Sequence, residues 1–244
     1  MEKSKKIIIS GYYGLKNFGD EAILQTLIDR LNSAYDKPEI TVISKNPEYI
    51  KQTYKADSVY SFNFSEISRK MSGSDIFISG GGSLLQDVTS LMSLFYYLAL
   101  ILLAQIFKTR VYIFAQGIGP INNPFGRFLT GIILKNASLI TVRDQNSSDF
   151  LSKLGVKSIQ TTDPVWCINS SEMDFPELDD DKIKVGIQLR EWKDLNNKTL
   201  DIIKNTLVKN FDKNYQFILI SLQDSQDLET LDKLETKLQL SGTE

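Results

Sequence analysis

Chemistry on a charged ligand needs donors and turning backbone in one place, and the run Ser79-Gly80-Gly81-Gly82-Ser83-Leu84-Leu85-Gln86-Asp87 offers both. It follows the apolar segment Asp75–Ile78 and precedes a long apolar stretch. Consecutive glycines give up backbone entropy and pack nothing, so a chain carries them where φ turns positive or a ligand comes close. At a strand-to-helix turn, free N–H groups and the helix dipole also attract phosphate or carboxylate. The alternative is a tight turn without a ligand. A second cluster, "GYYGLKNFGDE", spaces Gly11, Gly14 and Gly19 ahead of Asp20 and Glu21. The chain has no histidine, so acid–base work within it falls to Asp, Glu, Lys or Tyr.

The elements that position these loops alternate regularly. Lys6–Ser10 reads as a strand, followed by a helix from about Glu21 to Asn32 with Asp20 as its N-cap and Ile23, Leu24, Leu27, Ile28 and Leu31 on one face. Glu39–Ser44 reads as a strand, Pro47 opens a short helix, Ser58–Phe62 is a short strand and Phe64–Met71 a short helix. Asp75–Ser79 feeds the glycine run, which leads into the long apolar helix. Then come a strand at Arg110–Ala115, a helix from Pro124 to Asn136, a strand at Ser138–Val142 and a helix from Gln145 to Leu154 with Gly155 at its C-cap. Val156–Gln160 is a further short strand. This alternation predicts an α/β fold, a doubly wound parallel sheet. Ligands bind such sheets at the carboxyl ends of the strands, where "GYYGLKNFGDE", "SGGGSLLQD", "QGIGPI", "VRD" and "DPV" fall.

Composition narrows the function classes. With 42% hydrophobic residues, the 244-residue chain can bury a real core. The net charge of −2, without a basic patch, argues against nucleic acid as a partner. The lone Cys167 excludes an intrachain disulfide and a cysteine-cluster metal site, and reads as a buried small hydrophobe. "MEKSKKIIIS" lacks the apolar length of a signal peptide, so the chain reads as cytoplasmic. Val88–Phe107 runs without a charge, which meets the length rule for a membrane span. Its Thr, Ser, Tyr and Gln residues, and the strand–helix units on both sides, favour a buried or partner-docked helix instead.

Residues 1–169 thus form one domain, 170–181 an acidic linker, and 182–244 the start of a second Rossmann-like unit. That unit holds a strand in Lys182–Trp192, a helix from about Thr199 to Asn210, a strand at Tyr215–Ser221 and a helix from about Ser225 to Leu240. Four elements leave a hydrophobic edge uncovered, so the expectation is an incomplete second domain, or one that relies on a partner.

Neither GxGxxG after a strand nor GK[ST] is present, which leaves NAD and P-loop readings weak. The ordered set "GYYGLKNFGDEAIL", "SGGGSLLQDVTS", "AQGIGPI", "ITVRDQNSSDFLSKLGV" and "TDPVW", with "VGIQLREW" later, resembles the polysaccharide pyruvyl transferase family, most closely its CsaB type. The resemblance covers nearly the whole chain. It implies two Rossmann-like domains in a GT-B arrangement, and transfer of the enolpyruvyl unit of phosphoenolpyruvate to an N-acetylmannosamine-type sugar of a lipid-linked cell-wall glycan. The product would be a pyruvate ketal, made without a cofactor or metal at the inner face of the membrane, with peripheral membrane association or homo-oligomerisation as further expectations. Phosphoenolpyruvate suits Arg forks. Arg143 is the first candidate for donor binding and catalysis, against a surface ion pair with Asp144, and Arg190 is the second. Asp20 is a candidate for holding an acceptor hydroxyl, against a bare helix cap, with Asn17 and Glu21 beside it. Gly80, Gly81, Gly82, Ser83, Gln86, Asp87, Gln116 and Gly117 are candidate acceptor contacts. The family's "GMRLH"-like motif and its later lysine are missing, so these residues alone are expected to be inactive. A sugar-nucleotide glycosyltransferase of the same architecture and a non-catalytic module docking through Val88–Phe107 remain as alternatives.

Overall fold

A computed structural model of the chain describes residues 4–168, 178, 181–190 and 195–239. It has two compact units, Met1–Ile168 and Asn169–Glu244. In the first, the order is β1 (Lys6–Ser10), α1 (Phe18–Ala34), β2 (Glu39–Ser44), α2 (Pro47–Tyr54), β3 (Asp57–Tyr60), α3 (Phe64–Met71), β4 (Ile76–Ser79) and β5 (Gly82–Leu85). There follow α4 (Leu91–Ile106), β6 (Arg110–Ile118), α5 (Pro124–Leu134), β7 (Leu139–Val142), α6 (Gln145–Lys153), β8 (Ile159–Gln160) and a 3₁₀ turn at Pro164–Cys167. The strands form one parallel sheet in the order β3-β2-β1-β4-β6-β7-β8, with β5 paired to β6. This is the doubly wound sheet that the alternation predicts.

Each face of the sheet has its own core. Ile7 and Ile9 of β1 pack with Leu24, Leu27 and Ile28 of α1 on one face. Ile8, between them, joins Phe77, Leu98 and Ile101 on the other. That is the period of two of a strand buried on both sides.

Three readings need correction. The N-cap of α1 is Asn17, whose side chain accepts the Asp20 N–H at 3.3 Å, so Asp20 lies in the first turn. The glycine run does not open a helix. Gly82–Leu85 forms β5, and α4 starts only at Leu91, capped by Ser90. The reason is β6, nine residues long, which pairs β4 with its first half and β5 with its second. Cys167 is exposed, because it closes a short surface turn instead of entering the sheet.

In the second unit β9 (Ile183–Ile187) pairs in parallel with β10 (Tyr215–Leu219), and α7 (Asn197–Asn210) packs with α8 (Asp224–Gln239). Leu200, Leu234 and Leu238 are its buried apolar centre. The acidic linker lies outside the described residues except at 178 and 181, as does the "EW" end of "VGIQLREW".

Candidate active site

The sheet order reverses at β1. From β1 the chain goes out to β2, whereas from β4 it goes on to β6 on the opposite side. A crevice forms at the carboxyl ends of two such diverging strands. The glycine run lies at the end of β4, beside the loop that leaves β1.

Gly80 is tied to both neighbouring strands. Its N–H donates to the Ser10 carbonyl at 2.7 Å, and its carbonyl accepts from Gln116 Nε2 at 2.6 Å. Nε2 also donates to Ser79 Oγ at 2.7 Å. A Cβ on Gly80 would overlap the Tyr13 hydroxyl, and one on Gly81 would meet Ile23 Cγ2 at 2.9 Å. Gly82 sits at φ +88°, and a Cβ there would lie 3.0 Å from Asp20 Oδ1. Gly80 and Gly81 are therefore glycines because the first loop and α1 pack down on them. Gly82 is one because the backbone turns into β5 under Asp20.

Gln116 is turned inward by a bulge. Its predecessor Ala115 has φ +45°, and the β6–β7 register slips between Ile113 and Gln116. The Ala115 N–H donates to Thr141 Oγ1 at 2.7 Å instead of to the ladder. A bulge of this kind redirects a side chain. Gln116 is fully buried and braces Gly80, which places it among the supports of the site and away from any ligand contact.

Arg143, at the end of β7, spreads its guanidinium between two partners. Nη1 meets Asp163 Oδ2 at 2.9 Å and Nη2 donates to Ser83 Oγ at 2.9 Å. The surface alternative, the pair with Asp144, is looser at 3.9 Å. Gly117 leaves room for this: a Cβ there would be 2.8 Å from Ser83 Oγ and 3.1 Å from Arg143 Nε. Asp163 belongs to the "TDPVW" motif, where it caps the 3₁₀ turn. Sequence reasoning did not single it out as a site residue, although Asp before Pro at a strand end was a usable signal.

The structure thus gathers Asp20, Gly80–Ser83, Gln116, Gly117 and Arg143 at one end of the sheet. It gives the remaining candidates other work. Glu21 is buried, with Oε1 accepting the Gly14 N–H at 2.9 Å and Oε2 the Tyr54 hydroxyl at 2.6 Å. Gln86 Oε1 accepts the N–H groups of Val88 and Thr89 and so folds its own loop. Asp87 accepts the N–H groups of Asn122 and Asn123, both at 2.7 Å, and that of Asn122 leads the effects holding its carboxyl below the usual range. Asn17 is the cap of α1. Arg190 lies in the second unit, where Nε meets the buried Asp227 at 2.9 Å.

Three buried polar atoms around Gly80 have no hydrogen-bond partner: Ser10 Oγ, Tyr13 OH and Gln116 Oε1. Burial, and after it the nearby Asp20 charge, push the Tyr13 hydroxyl far above its ordinary value, so it stays protonated. Among the described residues no group of three or more Cys, Asp or Glu side chains could hold a metal ion.

Two solved structures share the fold at low identity. A Listeria monocytogenes protein described as a UDP-N-acetylglucosamine 2-epimerase aligns over 97% of this chain with TM-score 0.56 and 10% identity. S. aureus MnaA, in a co-structure with UDP, aligns over 97% with TM-score 0.55 and 12% identity. The chain spans 66% of the length of each. No curated protein matches it in sequence. The profile of the polysaccharide pyruvyl transferase family, however, matches residues 17–240, from the cap of the first helix to the end of the last, and the chain belongs to that family.

Proposed function

We propose that the protein transfers the pyruvyl unit of phosphoenolpyruvate to a sugar of a lipid-linked cell-wall glycan, of the N-acetylmannosamine type, as CsaB-type members do. One observation carries this reading: Arg143 is pre-spread between Ser83 and Asp163 at the open end of the sheet, beside the Gly117 backbone. A guanidinium held in this way presents its remaining N–H groups to a carboxylate or phosphate with little further ordering. Asp20, over Gly82, stands where an acceptor hydroxyl can donate to a carboxylate.

The reaction balances without a redox step. A proton adds to the methylene carbon of phosphoenolpyruvate, and one sugar hydroxyl bonds to the adjacent carbon and loses its proton. A second hydroxyl then bonds to that carbon as the C–O bond to phosphate breaks, and its proton passes to the departing phosphate, giving the ketal and inorganic phosphate. In this scheme Arg143 neutralises the carboxylate or the departing phosphate, and Asp20 takes a hydroxyl proton. The substrates place the reaction at the cytoplasmic face of a membrane.

The test is to incubate the protein with phosphoenolpyruvate and an N-acetylmannosaminyl lipid-linked acceptor. Acceptor-dependent phosphate release, with a ketal methyl singlet in the proton NMR spectrum, would support the reading and overturn the expectation that these residues alone are inactive. Consumption of a UDP-sugar with phosphoenolpyruvate untouched would establish the glycosyltransferase alternative instead.

A further inference from the structure

The face of the first unit built by α4 and α5 is apolar on the outside. Along α4, Met92, Ala99, Leu102 and Ile106 are exposed at helical spacing, with Met92 75% and Ile106 65% open to solvent. On α5, Phe125, Phe128 and Ile132 continue the surface at 59%, 60% and 47%. The two helices pack together, with the Phe95 and Phe125 rings 6.1 Å apart. On the other flank Tyr96 packs at a tilt against Phe62 and edge-on against Phe64, themselves about half exposed. Scattered surface apolar residues are ordinary, but a continuous stripe on two adjacent helices marks a surface that something covers.

Charge identifies the occupant. The chain as a whole is net negative, yet from Val88 to Arg143 it holds no Asp or Glu. In the same segment Lys108, Arg110, Arg127 and Lys135 are exposed, and none is in an ion pair among the described residues. Lys108 and Arg110 line a hollow of about 390 Å³ with Asn136 and Ser138, at the far end of α4. An apolar stripe, and cations in a segment without a carboxylate, are the two components of interfacial binding to an anionic bilayer. No helix among the described residues is long and apolar enough to cross a membrane.

We propose that the α4–α5 face docks on an anionic phospholipid surface, with Met92, Phe125 and Phe128 entering the interface and Lys108, Arg110, Arg127 and Lys135 facing the headgroups. This inference does not depend on the transferase reading. It is tested by co-sedimenting the protein with vesicles of phosphatidylcholine alone, and with vesicles in which phosphatidylglycerol replaces part of it. Binding to the anionic vesicles only, weakened by salt, is expected. The pair Met92→Asp and Phe128→Asp, and separately the pair Lys108→Glu and Arg127→Glu, should each lower the partition coefficient at least about tenfold. These positions are exposed, so circular dichroism and the thermal midpoint should stay unchanged. Equal binding to both vesicle types, or to neither, overturns the proposal. So does light scattering that shows a dimer which Met92→Asp with Phe128→Asp turns into a monomer, because the face would then be a contact between copies.

Discussion

Arg143 is fixed on two sides and still leaves 32% of its side chain open. Replacing it with Lys keeps the charge but loses the fork that reaches Ser83 and Asp163 together. Turnover of phosphoenolpyruvate should therefore fall by roughly 10²-fold or more in both Arg143→Lys and Arg143→Gln, the scale of losing one positioned transition-state donor. Because the group is about a third exposed and its ion pair partly solvated, the thermal midpoint of both variants should move little. A lysine variant with near-normal turnover would show that charge alone suffices. Tyr13 is the opposite case, a buried hydroxyl without a partner. An unsatisfied buried hydroxyl costs about 1–3 kcal/mol. Tyr13→Phe should leave the urea midpoint unchanged or raise it, and a clear fall would mean that the hydroxyl is satisfied in solution.

At the level of elements, the bulge of β6 is the feature that makes the site. Ala115 holds a backbone conformation that costs a residue with a Cβ about 1–2 kcal/mol, against less than that for glycine's extra chain entropy. Ala115→Gly should raise stability by about 1 kcal/mol or less, read from urea unfolding, with Gln116 still in place. Glu21 does the corresponding service for the first loop. Glu21→Ala strands the Gly14 N–H and the Tyr54 hydroxyl and should cost about 2–4 kcal/mol. Glu21→Gln, which keeps one acceptor, should recover part of that.

These two elements also show where a sequence stops being informative. Runs such as Ile7–Ile9, or the Ile23–Leu31 face, carry their period locally, so strands and helices of the first unit could be read to within a few residues. Strand β5 could not, because three glycines argue for a loop and its pairing is decided by how far β6 extends, some thirty residues on. The same holds for side chains. Arg143 could be picked out from its strand-end position. The partners that commit Gln116, Asp87 and Glu21 to the scaffold are contributed by distant segments and leave no local pattern.

Across the molecule, the chain divides into two compact units, Met1–Ile168 and Asn169–Glu244. Both large core clusters lie within Met1–Ile168, so a fragment ending at Ile168 should fold and unfold in one urea transition monitored by circular dichroism. The second unit has its own acid sensitivity. Burial alone would raise the Asp227 carboxyl, but Arg190 and the N–H groups of Leu222 and Gln223 hold it below the ordinary 3.8. A lowered carboxyl contributes its stability above the unfolded value and loses it as pH falls through the folded one. Unfolding of this unit should therefore become easier below about pH 4, and Asp227→Asn should flatten that dependence while lowering stability at neutral pH.

The contact between Gly80 and Tyr13 has a consequence for descent. The ring occupies the volume that any side chain at position 80 would need, so neither position can change size freely while the other stays. Gly80→Ala alone is a clash, and a smaller residue at position 13 alone is a cavity. Relatives that carry a side chain at the first should carry a small residue at the second, and the two sites should substitute as a pair across the family tree.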